Sequence, residues 1–527
     1  MSFAALATVA LGVLVLYVTK ALFTRKKAAG PLPPGPRPKP ILGNISDLPP
    51  PGAQDWVHWV KHNDLYGPIS SITVMGQPIV IINNVKIATE LLNRRSAVHS
   101  SRPKMVFVSE MVGWEHILAM QTYSDRFRAY RKAMQPYLGS ESAVAQNNPL
   151  QEVEVHRFLL RTLKDQKNLA KHIQTEAGAV ILKIAYGYTI NPHERDPLVH
   201  IANRAMEHFS IAGTPGAWAV DMIPAWAGFK RTAQAWKANL DAVVDTPYAL
   251  VQQQMNDGKQ KPSYLSNIFA SSGYPPAGSE EELVAKWTAA SLYTGGADTT
   301  VCSVETFFLA MTLFPGAQHK AQEEIDRVLG PGRLPKVADR PHLPYIDAVV
   351  KEVLRWHPVA PMGIPHMSSE DDTWDGYSIP KGSLVMANIW AFTHDEAVYH
   401  DPMTFKPERF LGVDGREPEI DPHTLVFGFG RRICPGRFLA DNTVYLSIAQ
   451  SLTVFDIGKA VENGVEVDVK PEFQPGVISH PVPWKSQIKP RSAEHEALIL
   501  SVEQEHPWEK NDAPALEKLT KGKGIAL

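Results

Sequence analysis

Apolar and polar positions divide this chain into a few strand-like segments and many helix-like ones. Runs rich in Ile and Val at 69–74 and 79–82, and another apolar run near 384–387, predict short strands. Most of the remaining chain has helical spacing of its apolar residues. The clearest predicted helices are 203–209, 286–313, 317–329 and 346–356. The pattern predicts a mainly α-helical protein with a small β portion.

The first predicted element is an N-terminal membrane anchor at residues 3–23. This run is apolar all round and carries one charge, Lys20, near its end. At ~1.5 Å per residue it spans about 30 Å, the thickness of a bilayer's hydrocarbon core. Arg25, Lys26 and Lys27 follow directly, so the positive-inside rule leaves the rest of the chain in the cytosol. A cleaved signal peptide, with its charges before the run, and a buried core helix are the alternatives.

The rest of the chain divides into a linker, one large domain and a tail. Residues 24–45 combine the basic stop-transfer residues with a Pro-rich stretch, which predicts a semi-rigid spacer. No second linker interrupts residues 46–490, so we expect a single large domain there. Residues 491–527 form a polar C-terminal tail, and its end from residue 506 onward is expected to be loosely ordered.

Composition and charge exclude several classes of protein. Lys and Arg number 53 against 55 Asp and Glu, so no overall basic field is present to hold nucleic acid. Only two cysteines occur, Cys302 and Cys434, which excludes a disulfide framework, Cys-rich zinc sites and cysteine-ligated iron–sulfur clusters. The sequence also lacks the GxxxxGK[ST], HExxH and GxSxG signatures. A chemically important cysteine would therefore act alone.

A glycine-rich loop surrounds the second cysteine. Residues 427–436 read FGFGRRICPG, and glycines at this density predict a tight turn that approaches another group closely. Residues 437–440 are predicted to be helical, which puts Cys434 just before a helix N-terminus. Unpaired N–H groups and the helix dipole favour a thiolate there. A buried structural cysteine is the alternative interpretation.

The spacing FxxGxRxCxG in this loop resembles the cytochrome P-450 family. The matching residues are Phe427, Gly430, Arg432, Cys434 and Gly436. The resemblance implies the cytochrome P-450 fold, bound haem b and Cys434 as the thiolate ligand of its iron, with Phe427 and Gly436 also contacting the cofactor. Thiolate ligation favours O–O cleavage. The resemblance extends from the predicted anchor to about residue 491 and is closest to fungal microsomal members, which implies an endoplasmic reticulum membrane protein.

The predicted helix 286–313 contains an unusual polar segment, GGADTT, at residues 295–300. Each interior glycine costs about 1 kcal/mol relative to Ala, and buried polar groups add a further cost. A kink with hydroxyls bonded to the i−4 carbonyls would explain the segment structurally. The resemblance instead implies that the glycines make room for dioxygen over the distal haem face. It implies that Asp298 and Thr299 are the catalytic residues that relay protons, while Cys302 is expected to pack within the helix.

An ExxR pair is predicted to brace the cysteine loop. The pattern occurs at Glu154, Glu324 and Glu352, so the pattern alone decides little. The pair Glu352 and Arg355 is followed by a PERF segment at 407–410 and then by the cysteine loop, which is the order in this family. The resemblance implies that these two residues and Arg409 form a structural triad. A solvated helix pair is the alternative.

Haem propionates need cationic or hydrogen-bonding partners. The resemblance implies Arg131, His366 and Arg432 for this role, although His366 could also be an ordinary loop histidine. Phe127 stands where the family usually has Trp, so one N–H donor to a propionate is missing. The segment 215–230, which links helices near the substrate entrance in relatives, looks abbreviated.

The resemblance implies a haem-thiolate monooxygenase that inserts one oxygen atom from O2 into a lipophilic small molecule, in secondary metabolism or xenobiotic oxidation. NADPH–cytochrome P-450 reductase is the expected electron donor. A basic patch on the cysteine side would receive it, unless these charges are a solvated face. The patch residues are Arg128, Lys132, Arg431 and Arg437.

The expected substrate-lining segments are 102–119, 205–212, 359–363 and 476–480. Two alternatives to the monooxygenase stay open: an oxygen-independent haem-thiolate isomerase or dehydratase, and a haem-binding protein without catalysis.

Overall fold

The structure is a computed structural model. It describes residues 30–213, 229–412, 415 and 417–523, together with Gly12. The predicted anchor at 3–23, apart from Gly12, and most of the segment 215–230 lie outside the described residues. Within the described part of the chain, no single helix is long and apolar enough to cross a membrane. The adjacent helices Glu280–Leu313 and Pro315–Val328, bent by 105°, meet that criterion together by length and composition only.

Helices dominate the described chain. In chain order they are α1 (Asp55–Tyr66), α2 (Val85–Ala88), α3 (Asp125–Leu138), α4 (Glu141–Val144), α5 (Asn148–Lys164), α6 (Leu169–Tyr186), α7 (Pro197–Ala212), α8 (Lys230–Asn256), α9 (Tyr264–Ser272), α10 (Glu280–Leu313), α11 (Pro315–Val328), α12 (Pro344–Trp356), α13 (Ile389–Thr393), α14 (His423–Val426), α15 (Arg437–Val454), α16 (Ala493–Leu500), α17 (Val502–Glu505) and α18 (Ala513–Lys523).

The strands are short. They are β1 (Ile69–Val74), β2 (Gln77–Ile82), β3 (His366–Met367), β4 (Asp372–Trp374), β5 (Tyr377–Ile379), β6 (Leu384–Ala387), β7 (Phe455–Lys459), β8 (Val461–Glu462), β9 (Val465–Glu466) and β10 (Ser486–Pro490). One sheet has the order β1-β2-β6-β3. In this sheet β2 and β6 are parallel, while β3 is antiparallel to β6 with His366 opposite Val385.

Helix α10 is the axis of the fold. The Ser279 side chain accepts a hydrogen bond from the Glu282 amide and caps its start, and the helix ends at Leu313, two residues before Pro315. Most of its interior residues are buried between two hydrophobic clusters, and the polar segment around Gly295 and Asp298 is partly exposed. The first half packs with α6, α7 and α8, and the second half with α5, α12 and α15. A helix apolar all round is expected at the centre of a large domain.

The predicted elements are confirmed as helices and strands, and most of them extend beyond the predicted bounds. The prediction of 286–313 becomes α10, which begins six residues earlier at Glu280, and 203–209 becomes the longer α7. Side chains that cap the N-termini explain why α7 and α10 begin earlier than predicted. The Asp196 side chain accepts hydrogen bonds from the Leu198 and Val199 amides at the start of α7, outside the apolar periodicity.

The described part of the Pro-rich segment differs from the predicted spacer. The carbonyl oxygens of Pro33 and Pro34 accept hydrogen bonds from the hydroxyl and amide of Ser71 on β1. A Cβ at Gly35 would collide with the Ser71 carbonyl oxygen, so only glycine allows this approach. The segment therefore packs on the domain, and the domain begins before residue 46.

The chain end also differs from the prediction of a loosely ordered tail. Helix α18 packs on α8, and Leu516 is fully buried there. Asp512, just before α18, accepts hydrogen bonds from the Lys261 ammonium at 2.9 Å and the Thr189 amide at 2.8 Å. This helix is mostly polar, so its single apolar face was not recognised in the sequence. One apolar face is enough to attach a helix to the domain.

Candidate haem-binding site

The cysteine loop is a tight turn that ends at a helix N-terminus. The Cys434 amide donates to the Phe427 carbonyl oxygen at 2.7 Å, which closes the loop. Gly436 is the N-cap of α15, so Cys434 lies two residues before that cap. This confirms the predicted helix after the loop. The sulfur is fixed by the backbone on both sides.

Gly430 is the position in this loop where glycine is required. Its φ is +52°, in the left-handed region, and a Cβ there would lie 2.8 Å from Ser96 Cβ and nearer still to the Leu92 carbonyl oxygen. The Gly430 amide also donates to the Asn93 side chain. The loop is therefore seated directly on the backbone of residues 92–96.

Cys434 is half-buried, and the surroundings of its thiol change the prediction drawn from the helix N-terminus. Burial raises the pKa of the Cys434 thiol, whereas the Gly436 amide and the charges of Arg131 and Arg437 act in the opposite direction. The helix terminus therefore does not by itself produce a thiolate. A metal deprotonates a coordinating thiol outright, so ligation is the condition under which this sulfur becomes anionic.

Glu352, Arg355 and Arg409 form a buried ion triad, which confirms the predicted structural role. Arg355 donates to Glu352 through Nε at 2.7 Å and Nη2 at 2.8 Å, and Arg409 Nε lies 3.1 Å from the same carboxylate. The side chains of Glu352 and Arg355 are fully buried. Arg409 continues to Glu419 and to the carbonyl oxygen of His400. The triad thus fixes the segment that leads into the cysteine loop.

The other two ExxR sequences have different structural roles. Arg157 donates to Glu154 at 2.6 Å and to the carbonyl oxygens of His506 and Pro507, which ties the C-terminal region to α5. The Glu324 carboxylate instead accepts from backbone amides at the start of α12. Chain order and context were therefore the correct basis for choosing Glu352.

The three residues predicted to bind propionates lie in one cluster, which we call the cationic cluster; its charge comes from the arginines, because burial lowers the pKa of His366 well below its usual value. Arg131 donates to the Ile433 carbonyl oxygen at 2.8 Å, next to Cys434. Arg432 donates to the carbonyl oxygens of Ser100 and Gln121, both at 2.6 Å. His366 Nδ1 bonds to the His99 carbonyl oxygen at 2.7 Å. Backbone oxygens therefore orient all three side chains.

Arg102 is a fourth member of this cluster that sequence reasoning assigned only to a substrate-lining segment. It donates to the carbonyl oxygens of Ala119, Ile364 and Pro365, at 2.9, 2.6 and 2.9 Å. No local motif marks it, and its signal was a single arginine in a largely apolar stretch. Tertiary contact with residues 364–365 brings it beside His366.

The cluster carries unbalanced positive charge. Among the described residues, no carboxylate lies within ion-pair distance of Arg102, Arg131 or Arg432. Burial lowers the pKa of Arg102 well below its usual value, and the charge of Arg432 adds to this. Burial and the charge of Arg131 lower the pKa of Arg432 to about 9. Buried like charges are costly, so this arrangement favours binding a group with two negative charges.

Phe127 contacts the cationic cluster through its aromatic ring and donates no hydrogen bond to it. The Arg432 guanidinium lies 3.9 Å from the centre of the Phe127 ring, a cation–π contact. Phe127 is almost fully buried. The ring therefore orients Arg432, even though it offers no N–H to a propionate.

The residues present fit haem b. Three guanidinium groups, of the buried Arg102 and the half-buried Arg131 and Arg432, match its two propionates, and a single cysteine is held beside them. The middle of α10 adds open space, because Gly295 is exposed although its helical neighbours Tyr293, Thr294 and Ala297 are buried. A Cβ at Gly295 would meet nothing within 4 Å.

The polar segment of α10 contains a glycine that allows close helix packing and a threonine that bonds within the helix, beside the predicted catalytic acid. A Cβ at Gly296 would lie 2.9 Å from the Ile181 side chain, so this glycine permits close packing on α6. The Thr299 hydroxyl donates to the Gly295 carbonyl oxygen at 2.7 Å, the i−4 bond expected of a purely structural threonine. Asp298 forms an ion pair with His480 at 3.1 Å. Asp298 and Thr299 thus have separate partners in this structure.

Cys302 packs in the interior, as expected. It is fully buried, and its Sγ donates to the Ser479 carbonyl oxygen at 3.1 Å. Burial raises the pKa of its thiol well above the usual value, and the nearby Glu305 charge reinforces this.

The four predicted substrate-lining segments meet in space. Trp114 from the first contacts Phe209 from the second, with ring centres 4.7 Å apart. The Ser479 amide from the fourth donates to the Val359 carbonyl oxygen of the third at 2.9 Å. A Cβ at Gly476 would touch the Ser210 hydroxyl, which joins the fourth segment to the second.

The predicted basic patch is only partly available for a partner. Arg128, Lys132 and Arg431 are exposed, whereas Arg437 is half-buried. Arg128 pairs with Asp125, and Arg431 lies over the Tyr123 ring at 5.0 Å. The exposed positive surface is therefore smaller than the sequence indicated.

The domain is mainly helical, with a cysteine loop ahead of α15 and a largely enclosed cationic cluster beside it. These features define a haem-thiolate protein. The cytochrome P-450 family model matches residues 33–487. The chain is 49% identical to cytochrome P-450 monooxygenase ppsD of Aspergillus oryzae, over 95% of this chain and 96% of the relative. It is 46% identical to cytochrome P-450 monooxygenase claR of Ampulloclitocybe clavipes, over 96% and 95%. It is 42% identical to the O-methylsterigmatocystin oxidoreductase of Aspergillus flavus, over 95% and 96%.

This chain belongs to the cytochrome P-450 family. It is a haem-thiolate monooxygenase with haem b as its cofactor, and it uses O2, an organic substrate and a redox-partner reductase. The comparisons do not favour the isomerase and the non-catalytic alternatives, because the named relatives are monooxygenases and an oxidoreductase.

Proposed function

We propose that this enzyme oxidises a lipophilic secondary metabolite at the cytosolic side of the endoplasmic reticulum membrane. Residues 3–23 anchor it there, and NADPH–cytochrome P-450 reductase supplies the electrons. The relatives support the substrate class, since one is named for the oxidation of O-methylsterigmatocystin. The apolar run at 3–23 followed by Arg25, Lys26 and Lys27 supports the anchor.

Cys434 beside the unbalanced cationic cluster is the observation that carries this proposal. Cys434 would ligate the haem iron, and Arg131, His366 and Arg432 would hold the propionates, with Arg102 as a further cation. Phe427 closes the loop through its carbonyl oxygen, and Gly436 directs its amide at the sulfur. Thiolate-ligated haem iron activates O2 for insertion of one oxygen atom into the substrate.

The chain's own residues would supply protons and exclude water. Thr299 presents a hydroxyl next to the open space at Gly295, and Asp298 is the adjacent acid. Buried aromatic side chains such as Trp114 and Phe209 give the substrate side an apolar lining. An apolar lining favours a lipophilic substrate and excludes bulk water from the reaction.

The two cysteines provide a matched test of the ligand assignment. In Cys434→Ala, we expect the purified protein to lose the thiolate-type absorption band of its ferrous–CO complex, because no other described cysteine reaches this site. Cys302→Ala is the control, since Cys302 is buried elsewhere in α10, and it should keep the band. Retention of the band in Cys434→Ala would contradict the proposed site.

A further inference from the structure

His480 joins two carboxylates on the central helix. Its Nε2 lies 3.1 Å from Asp298 Oδ1, and its Nδ1 lies 2.8 Å from Glu305 Oε2. Asp298 and Glu305 are seven residues apart, or about two turns of α10, so both face the same side. Both ring nitrogens of His480 are therefore occupied, as an imidazolium with two donors requires.

The backbone of the loop fixes His480 independently of its ion pairs. The His480 carbonyl oxygen accepts from the Gln474 amide at 2.8 Å. The preceding Ser479 is fully buried, and its carbonyl oxygen accepts from Cys302 Sγ at 3.1 Å and from His357 Nε2 at 3.0 Å. The backbone that carries the imidazole is thus held by contacts that do not involve the two carboxylates.

This cluster lies where α10 borders an open groove. The groove has a volume of about 1470 Å³, and Asp298, Glu305 and His480 all line it together with residues of α6, α7 and the 474–487 segment. The side chains of Asp298, Glu305 and His480 are 16%, 11% and 22% exposed. Solvent in the groove therefore reaches the acid that precedes Thr299.

The charge state of the cluster agrees with the geometry. Burial opposes a charge on His480, but its hydrogen bonds to Asp298 and Glu305 and their charges outweigh burial and raise the pKa of His480 to about 10. Two further ionisable side chains lie behind Ser479: His357 and the Cys302 thiol, which burial keeps neutral. Burial lowers the pKa of His357 to about 3, so His357 is neutral and adds no competing charge.

We propose that His480 is a positioning residue for proton supply: it holds the Asp298 carboxylate at the floor of this groove, through which solvent protons reach the distal side. The inference rests on the proposed role of Asp298 and Thr299. Monooxygenation consumes two protons and two electrons per O2, and the reductase provides the electrons. Groove water protonates Asp298, which passes the proton towards Thr299 and then returns as a carboxylate to His480.

The test compares His480→Gln with His200→Gln, a histidine on the wall of the same groove that contacts Arg195. In His480→Gln, we expect product formed per NADPH consumed to fall about threefold or more and the solvent deuterium isotope effect on product formation to rise. The melting temperature should match that of His200→Gln. Residue 480 belongs to the predicted lining segment 476–480, so we expect any change in the substrate dissociation constant from the spin shift to be smaller than the loss of coupling. His480→Lys, which restores a cation, should recover at least half of the lost coupling.

A histidine NMR titration provides a readout that does not depend on turnover. One Cε1–H resonance, identified by its loss in His480→Gln, should remain in the imidazolium form above pH 8 in the unmodified protein. In Asp298→Asn its midpoint should move to lower pH, because one of the two carboxylates is removed.

Three results would overturn the inference. The first is that His480→Gln leaves both the product formed per NADPH and the solvent isotope effect unchanged. The second is a titration midpoint of His480 near pH 6.5. The third is a loss of coupling that only parallels a loss of substrate affinity and that His480→Lys does not reverse. A protein that lacks the thiolate-type carbonyl band would instead contradict the proposed function. Because the titration of His480 needs no turnover, the two failures are distinguishable.

Discussion

The cysteine side and the central-helix side of the proposed haem site are built differently. On the cysteine side, the ions that support the loop are buried and mutually paired, as in the triad of Glu352, Arg355 and Arg409. On the central-helix side, Asp298 and His480 pair at the floor of an open groove. The comparison indicates that the loop of the proposed metal ligand is held by buried ion pairs, while the proposed proton donor Asp298 remains in contact with solvent.

A second ion cluster extends the rigid side. His423 bridges Asp421 at 2.6 Å and Asp441 at 2.8 Å, and its ring stacks on Phe427 at the start of the loop. Asp441 also pairs with Arg340. The cluster therefore ties the loop to α15 on one side and to the segment before α12 on the other.

Removing the shared carboxylate of the triad should have the largest effect. Glu352→Gln leaves the buried Arg355 without its counter-charge and Arg409 with Glu419 alone, and we expect it to lower the free energy of unfolding by about 3–5 kcal/mol. Urea unfolding and the haem content of the purified protein measure this. Asp241→Asn breaks the exposed pair with Lys237 and should cost less than about 1 kcal/mol. Equal costs for the two variants would contradict the rigid cysteine side.

Gly430→Ala should have the next largest effect. The new Cβ combines left-handed strain with a collision against the backbone at Leu92, and we expect a cost above about 2 kcal/mol together with lower haem content. Gly428→Ala separates the two causes. Gly428 has φ +81°, but its nearest neighbour would be at 3.4 Å, so strain dominates there. If Gly428→Ala lowers the free energy of unfolding as much as Gly430→Ala does, the contact of the loop with residues 92–96 does not explain the effect of Gly430→Ala.

The His423 bridge should make stability depend on pH. Burial opposes its charge, but Asp421 and Asp441 outweigh burial and raise the pKa of His423 to about 9, against about 6.5 when unfolded. Its stabilisation is therefore complete below about pH 6.5 and is lost as the pH rises through about 9. We expect His423→Gln to cost about 1–3 kcal/mol at pH 6 and progressively less towards pH 10, measured by urea unfolding.

An exposed histidine, His319, is the control for this pH dependence. His319→Gln should change the free energy of unfolding by less than about 0.5 kcal/mol. A cost of His423→Gln that stays constant between pH 6 and pH 10 would show that the bridge does not carry a charge.

The smallest change in stability is expected on the central-helix side, where the effect should fall on chemistry. Thr299→Ala should lower product per NADPH about threefold or more and raise peroxide release, with little change in melting temperature. Thr294→Ala is the matched control, because its hydroxyl makes the same i−4 bond at 2.8 Å but is buried. Equal coupling in the two variants would remove Thr299 from the proton path.

The fold class and the cysteine loop could be predicted because their signals are local. Apolar periodicity indicates α7, α10, α11 and α12, and the loop motif is contained within ten residues. The bounds of α7 and α10 could not be predicted equally well, since Asp196 and Ser279 start these helices outside the apolar pattern. The polar end of the chain was misinterpreted for a related reason, because one buried face is enough to attach α18.

The amino-acid sequence by itself determined the helical class, the cysteine that can ligate iron and the acid–alcohol pair on the central helix. Only the tertiary structure decided that Arg102 joins the cationic cluster and that His480 pairs with Asp298. Arg102 is 262 residues from Ile364, whose carbonyl oxygen orients it beside His366, and His480 is 182 residues from Asp298; such contacts leave no periodicity or motif. They depend on how helices and loops pack, and electrostatic interactions are strong only when packing brings charges within a few ångströms and removes the water between them.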